Sequence, residues 1–291
     1  KYILGSICIL FLTLYLYVKV KYKFWSIQPV FHIYNLKYWL WPPGIIQHKM
    51  PPKTKYYNWR IECDTFSNTS TEKKELLYFL IKTHYLNDTK AKYNPPRSGV
   101  LEYFKCHSSP CYISLYFDYY PIPKKNKTEF NKKLIACMTS RRLKGHIYDK
   151  KLTVSYVDFL CVHSKRRKQG FAPKQIYTHY YKAREKNVSP IMMFKREGEV
   201  NFMTPITVYY AYAFSTKIWN RANYQLPNNI SCHLVTTQNF ELLVHYMKEV
   251  KRHFSLFVMP DFSHLKNLIQ YFWWMTSRQV GPVISGLKAV L

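Results

Sequence analysis

The sequence predicts a mixed α/β (α+β) fold in which helices cover a sheet, and three observations carry the prediction. Residues 71–85 repeat apolar side chains at helical spacing. Residues 112–119, 134–139 and 152–162 are β-rich and follow one another as successive strands. Residues 157–173 then run as a buried apolar strand that breaks into a basic loop and opens a helix through Tyr181. That third pattern also bears on function. A strand feeding a loop whose backbone N–H groups and helix N-terminus point outward makes an anion site. Four basic side chains, Lys165, Arg166, Arg167 and Lys168, surround the loop and suit a polyphosphate. The competing reading is a strand edge carrying a solvated run of charge.

In chain order, residues 2–18 come first, an almost unbroken apolar stretch followed by Lys19, Lys21 and Lys23. Its length is at the short end of what spans a bilayer, so a membrane anchor, a signal-peptide core and a buried strand plus helix all fit. The three lysines favour a cytosolic location for the remainder. Residues 31–55 are rich in Pro and aromatics. Pro42-Pro43-Gly44 and Pro51-Pro52 forbid helix there and leave an extended, ordered loop. Thr71 caps the next helix, in which Leu76, Leu77, Leu80 and His84 recur at helical spacing. A further helix is predicted over 173–186, with Pro173 in its first turn. Residues 189–194 and 207–214 read as another strand pair, 240–254 as an amphipathic helix and 263–271 as the start of one more.

A chain of 291 residues, 47% of them hydrophobic, can bury a sizeable core as one large domain or two small ones. The formal net charge of +28 admits nucleic acid, a membrane surface or an anionic cofactor as partner. Lys and Tyr are spread along the whole chain with Asn and Ile, so part of that charge is compositional background, which weighs against nucleic acid. The seven cysteines, an odd number without a CxxC pair, read as reduced thiols. Cys106 and Cys111 lack a second ligand pair at zinc spacing, so no metal site is expected. The sequons at Asn68, Asn87, Asn126, Asn187 and Asn229 are what an Asn-rich chain produces by chance.

The run Phe159-Leu160-Cys161-Val162-His163, with its basic continuation and Ala172-Pro173, resembles the signature of the N-myristoyltransferase family. Tyr22-Lys23-Phe24-Trp25-Ser26-Ile27-Gln28-Pro29-Val30 resembles the aromatic segment of that family, which ends in Thr-Gln-Pro-Val. Lys132-Lys133-Leu134-Ile135 and Gly145-His146-Ile147-Tyr148-Asp149-Lys150 lie between them in the family's order. The resemblance spans residues 22–215 and continues weakly to Phe272. It implies an acetyltransferase-like (GNAT-type) acyl-CoA-binding fold whose strands splay apart beside the signature strand and expose backbone donors to the cofactor. The chain then divides into an apolar segment (1–21), an acyl-CoA-binding half (22–220) and an incomplete, peptide-binding second half (221–291).

The implied reaction moves a myristoyl or other fatty acyl group to the N-terminal glycine of a protein. Its source is myristoyl-CoA, a co-substrate rather than a prosthetic group. Such a transfer needs oxyanion donors, a base and an aligned thioester. By resemblance the donors are the backbone N–H groups of Phe159 and Leu160, and the base is the α-carboxylate of the last residue, here Leu291. By the same resemblance CoA is held by Lys23, Phe24 and Trp25, by Phe159, Leu160, Cys161 and Val162, and by Lys168, Gly170, Phe171 and Ala172. From the residues alone, Phe24 and Trp25 also read as plain aromatic core. Cys161 and His163, two apart on one strand face, have no orienting carboxylate nearby and read as packing rather than as a thiol nucleophile with its base.

The chain also departs from the family. Lys168 and Gly170 replace a Ser and an Arg, and Leu86-Asn87-Asp88-Thr89-Lys90 replaces an acidic cluster. Ala211-Tyr212-Ala213-Phe214-Ser215 replaces a Tyr-Trp-His-Arg-Ser stretch, and a Thr-Ala-Gly turn near residues 196–199 is not found. The expectation is a cytoplasmic, monomeric acyltransferase that takes acyl-CoA and N-terminal-glycine peptides, with a membrane association through its apolar segment and no nucleic acid. The alternatives are an inactive acyl-CoA- or lipid-binding relic and a basic nucleic-acid-binding protein.

Overall fold

A computed structural model describes residues 2–32, 34–42, 44–86, 93–124, 127–196, 203–210, 212, 230–268, 273–277 and 281–283. Helix α1 (Tyr2–Lys21) and the short α2 (Leu36–Leu40) lead into β1 (Ile61–Thr65), α3 (Thr71–His84) and α4 (Arg97–Leu101). β2 (Tyr112–Lys124), β3 (Lys127–Ile147) and β4 (Lys150–Val162) follow, then α5 (Phe171–Glu185) and β5 (Ile191–Phe194). The remainder holds β6 (Ile230–Leu234), α6 (Phe240–Lys251), β7 (Leu256–Met259), α7 (Phe262–Leu268), β8 (Trp273–Ser277) and β9 (Gly281–Val283). Six strands make one sheet in the order β1-β2-β3-β4-β5, with β7 against the far end of β3. Its pairings are antiparallel except for β4–β5. β6, β8 and β9 form a separate antiparallel sheet.

The two faces of the large sheet are covered in different ways. Along β2, Ile113, Leu115 and Phe117 alternate onto one face. There they meet Leu77, Leu80 and Ile81 of α3 and Val100 and Leu101 of α4, and the core continues through Leu134, Cys137, Phe159 and Cys161. Each such aliphatic side chain contributes about 1.5–3 kcal/mol by leaving water. Ser70 starts α3, its hydroxyl accepting from the Lys73 N–H (3.4 Å), so the cap lies one residue before the expected Thr71. On the other face α5 is seated by polar groups. His179, fully buried, bonds Ser114 Oγ through Nδ1 (2.6 Å) and Ser140 Oγ through Nε2 (2.8 Å). Gln175 Nε2 donates to the Ser114 carbonyl (2.7 Å). Burial pushes the His179 imidazole down to about 4, so it is neutral at pH 7.

β7, within the stretch assigned from sequence to a second half beginning at 221, pairs with β3 of the large sheet, and α7 bonds the Lys105 and Cys106 carbonyls beside it. β3 outruns β2, whose pairing reaches only Ser140, and β7 takes up Lys144–Ile147 beyond it. Asp261 accepts from the Ser108 N–H and hydroxyl (3.0 and 2.7 Å), closing the same junction. Residues 207–210 form no strand; Met203 makes only a bridge to His32, and the rest of that expected strand, apart from residue 212, lies outside the described residues. Residues 2–18 form part of α1. Among the described residues no helix is long and apolar enough to cross a membrane.

Candidate functional site

The site begins where two parallel strands part. β4 and β5 pair from Val154↔Ile191 to Val157↔Phe194, and there the pairing ends while β4 runs on to Val162. A β-bulge sits at the same level. Met138 pairs with Leu160 and Ser140 with Val157, so Thr139 faces both Asp158 and Phe159. The Phe159 N–H donates to Thr139 Oγ1 (3.1 Å) and the His163 N–H to the Ile135 carbonyl (2.8 Å), so both point toward β3. Alternation along the strand therefore turns the Leu160 and Val162 N–H groups to the opposite edge, which β5 has left. The bulge is clamped by buried charge. Arg141 forks onto Asp158 through Nε (3.0 and 2.9 Å) and Nη2 (2.8 Å), and its Nη1 donates to His264 Nε2 (3.1 Å). Burial pushes the Asp158 carboxyl up while Arg141 pulls it back.

Across the gap lies the N-terminus of α5. Gly170 holds the cap position in the left-handed region (φ 80°), which glycine adopts without steric cost, and no side chain caps the helix. The first-turn N–H groups of Phe171 and Ala172 are thus left for a ligand, Pro173 having none to satisfy. Lys168 is left-handed as well (φ 63°), a strained conformation for a residue with a Cβ. Between strand edge and helix is a cleft of about 780 Å³, within the range of small-molecule sites.

The basic loop divides its labour. Arg166 pairs with Asp118, and Arg167 reaches the Val162 carbonyl through Nε (3.4 Å) and the His84 carbonyl through Nη2. Lys165 and Lys168 stay exposed. Beside them the His84 and His163 rings lie 4.0 Å apart. Burial, then His163, Arg167 and Lys133, holds His84 below its ordinary value; burial, then Lys133, Lys165 and Arg166, does the same to His163. Neutral His84 thus sits amid cations at the wall of the cleft, with His163 packed against it.

Of the residues expected to hold the cofactor, Leu160, Cys161, Val162, Lys168, Gly170, Phe171 and Ala172 line this cleft. Lys23, Phe24 and Trp25 do not line it. Phe24 is buried against Trp25 and Tyr56 (ring centroids 5.0 Å apart in each case), and Trp25 stacks on Phe194 (5.7 Å), where β5 leaves β4. Phe159 also departs from expectation: its ring is in the core against Tyr85 (5.3 Å), and the bulge has given its N–H to Thr139. Leu291 lies outside the described residues. Sequence reasoning missed His84, Tyr85 and Leu86 at the end of α3, which also line the cleft. Nothing local marks them, because only the tertiary fold brings them to the signature. Among the described residues no group of three His, Cys, Asp or Glu could hold a metal ion. Every cysteine whose side chain is described is free.

The family model for the N-terminal domain of myristoyl-CoA:protein N-myristoyltransferase matches residues 45–190, half of the chain, from the approach to β1 through the end of α5. The chain belongs to the N-myristoyltransferase family. Solved structures carry the likeness further along this family member. A crystal structure of Saccharomyces cerevisiae N-myristoyltransferase with bound myristoyl-CoA superposes with a TM-score of 0.54 at 14% identity, covering 89% of this chain and 64% of the yeast one. A second with bound myristoyl-CoA gives 0.54 at 12%, covering 92% and 72%. A third, with myristoyl-CoA and inhibitors, gives 0.51 at 12%, covering 80% and 58%. At such identities the likeness is one of fold, the acetyltransferase-like α/β architecture. The chain spans 58% and 64% of the length of two of these yeast structures. No curated protein matches it.

Proposed function

We propose that this member of the N-myristoyltransferase family binds a long-chain acyl-CoA, such as myristoyl-CoA, in the cleft and passes the acyl group to the N-terminal glycine of a protein. The observation that carries this reading is the open backbone edge at Leu160 facing an uncapped helix N-terminus. The α5 amides, with Lys165 and Lys168, receive the phosphates. Tyr85, Leu86, Phe171 and Pro173 supply apolar wall for the rest of the ligand. The glycine amine attacks the thioester carbonyl carbon, a C–N bond forms, the C–S bond breaks, and the electron pair leaves with the CoA thiolate. The Leu160 N–H stabilises the oxyanion on the way. The amine gives up its proton to a general base as the C–N bond forms. The ligand class is supported by the yeast enzymes, which hold myristoyl-CoA.

A second reading, acyl-CoA binding without turnover, is favoured by one observation: Thr139 already occupies the Phe159 N–H, which leaves Leu160 alone of the expected oxyanion pair. Calorimetry with a thioether analogue of myristoyl-CoA, paired with acylation of a peptide bearing an N-terminal glycine, separates the two. Binding with turnover is expected, and binding alone selects the second reading. No heat at high micromolar analogue overturns both.

A further inference from the structure

Helix α1 carries two apolar faces, and the body of the protein covers one of them. Phe11, Leu14 and Val18, spaced three and four residues apart, turn inward, and Val18 is only 1% exposed. On the opposite side Ile9, Leu12, Leu16 and Val20 repeat at helical spacing and are 67%, 57%, 51% and 69% exposed. A contiguous apolar stripe of this kind marks an interaction surface.

Charge and composition identify what fits it. No Asp or Glu occurs in the chain before Glu62, while Lys19, Lys21 and Lys23 close the helix and Lys37 stands in α2. Trp39, Leu40 and Trp41 are exposed as well, and Tyr15 of α1 touches Tyr34 next to α2 (ring centroids 5.5 Å), which ties the two elements together. Lysines and amphipathic aromatics bordering an apolar stripe are what settles at the headgroup level of a bilayer. A second copy of the chain would set one carboxylate-free, basic segment against another, with no opposite charge to meet the lysines. A nucleic acid would leave the stripe in water.

We propose that α1 lies along an anionic lipid surface. Ile9, Leu12, Leu16 and Val20 sink to the acyl boundary, Lys19, Lys21, Lys23 and Lys37 meet the headgroup phosphates, and the helix does not cross the bilayer. This assignment stands independently of the acyl-CoA reading.

The test is sedimentation of the full chain with vesicles of phosphatidylcholine alone and of phosphatidylcholine with about one part in four phosphatidylserine. Lysines near an anionic surface are expected to raise partitioning about 100-fold over neutral vesicles at low salt, and high salt should erase the gain. Ile9→Asp combined with Leu16→Asp changes only exposed positions, so the melting temperature should hold while partitioning falls about tenfold or more. Wild-type protein left in the supernatant with anionic vesicles overturns the proposal. So does a double variant that partitions like the wild type. A dimer seen by light scattering and abolished by the double variant, with no vesicle binding, assigns the stripe to a second copy and overturns it too.

Discussion

Helices α3 and α5 cover opposite faces of one sheet and are held there by different forces. α3 rests on Ile113, Leu115 and Cys161 through Leu77, Leu80 and Ile81. α5 hangs on His179 between two serine hydroxyls and on Gln175 at a backbone carbonyl. Apolar contact has no direction, so a helix seated that way can slide slightly at little cost. A buried hydrogen bond weakens within a few tenths of an ångström, and losing it in a low dielectric is expensive. The helix whose N-terminus is proposed to receive the phosphates is the one placed by directional bonds. Position is specified most tightly where the chemistry needs it.

Removing one seat at a time gives the largest test. Leu77→Ala is expected to lower unfolding free energy by about 2–5 kcal/mol in a urea titration while leaving affinity for the thioether analogue almost unchanged. His179→Leu strands the Ser140 hydroxyl and leaves Ser114 only the Cys63 thiol (3.1 Å), costs roughly 1–3 kcal/mol, and should weaken the analogue about tenfold as α5 loses its placement. Equal loss of affinity in both variants would break the comparison.

The open edge offers the next test. Leu160→Pro deletes an N–H that faces no neighbouring strand among the described residues, so the described ladder survives, and peptide acylation should fall about 10²–10³-fold. Leu160→Ala keeps the donor and should cost far less. Phe159→Pro removes the bond to Thr139 and should act mainly on stability. Matching rate losses for the two proline variants, per folded molecule, would show that both amides serve the oxyanion.

Acid sharpens the contrast between the faces. His179 titrates at about 4 when folded and near 6.5 when unfolded, so between those values the unfolded chain holds the proton and the folded chain does not. Its contribution to stability is complete above about pH 6.5 and is lost as the pH falls toward 4, worth about 3 kcal/mol. Urea titrations at neutral pH and through this window should show that slope, and His179→Gln should flatten it. Smallest of the four, Lys168→Glu is expected to weaken the analogue about tenfold at low salt and much less at high salt.

The signature strand, its loop and α5 were legible because each carries a local mark: apolar alternation, a run of cations, Gly170 and Pro173. The bulge was not, since residues 134–139 and 152–162 read as regular strands, and the misregistration exists only when Thr139 meets Asp158 and Phe159. For the same reason the fate of the Phe159 N–H could not be foreseen. Phe24 and Trp25 show another limit. Aromatic composition is the same for a ligand contact and for a brace, and here the pair is packed against Tyr56 and Phe194. His84 meets His163 through tertiary contact alone.

β7 fills the lane beside β3 that β2 vacates. A nascent chain that has delivered the signature strand and both covering helices still presents Lys144–Ile147 with bare peptide groups along one side, until residue 259 leaves the ribosome. Such an edge is a template for strands of other chains. Translation speed between α5 and β7 therefore sets how long each new molecule is open to pairing with its neighbours on the polysome.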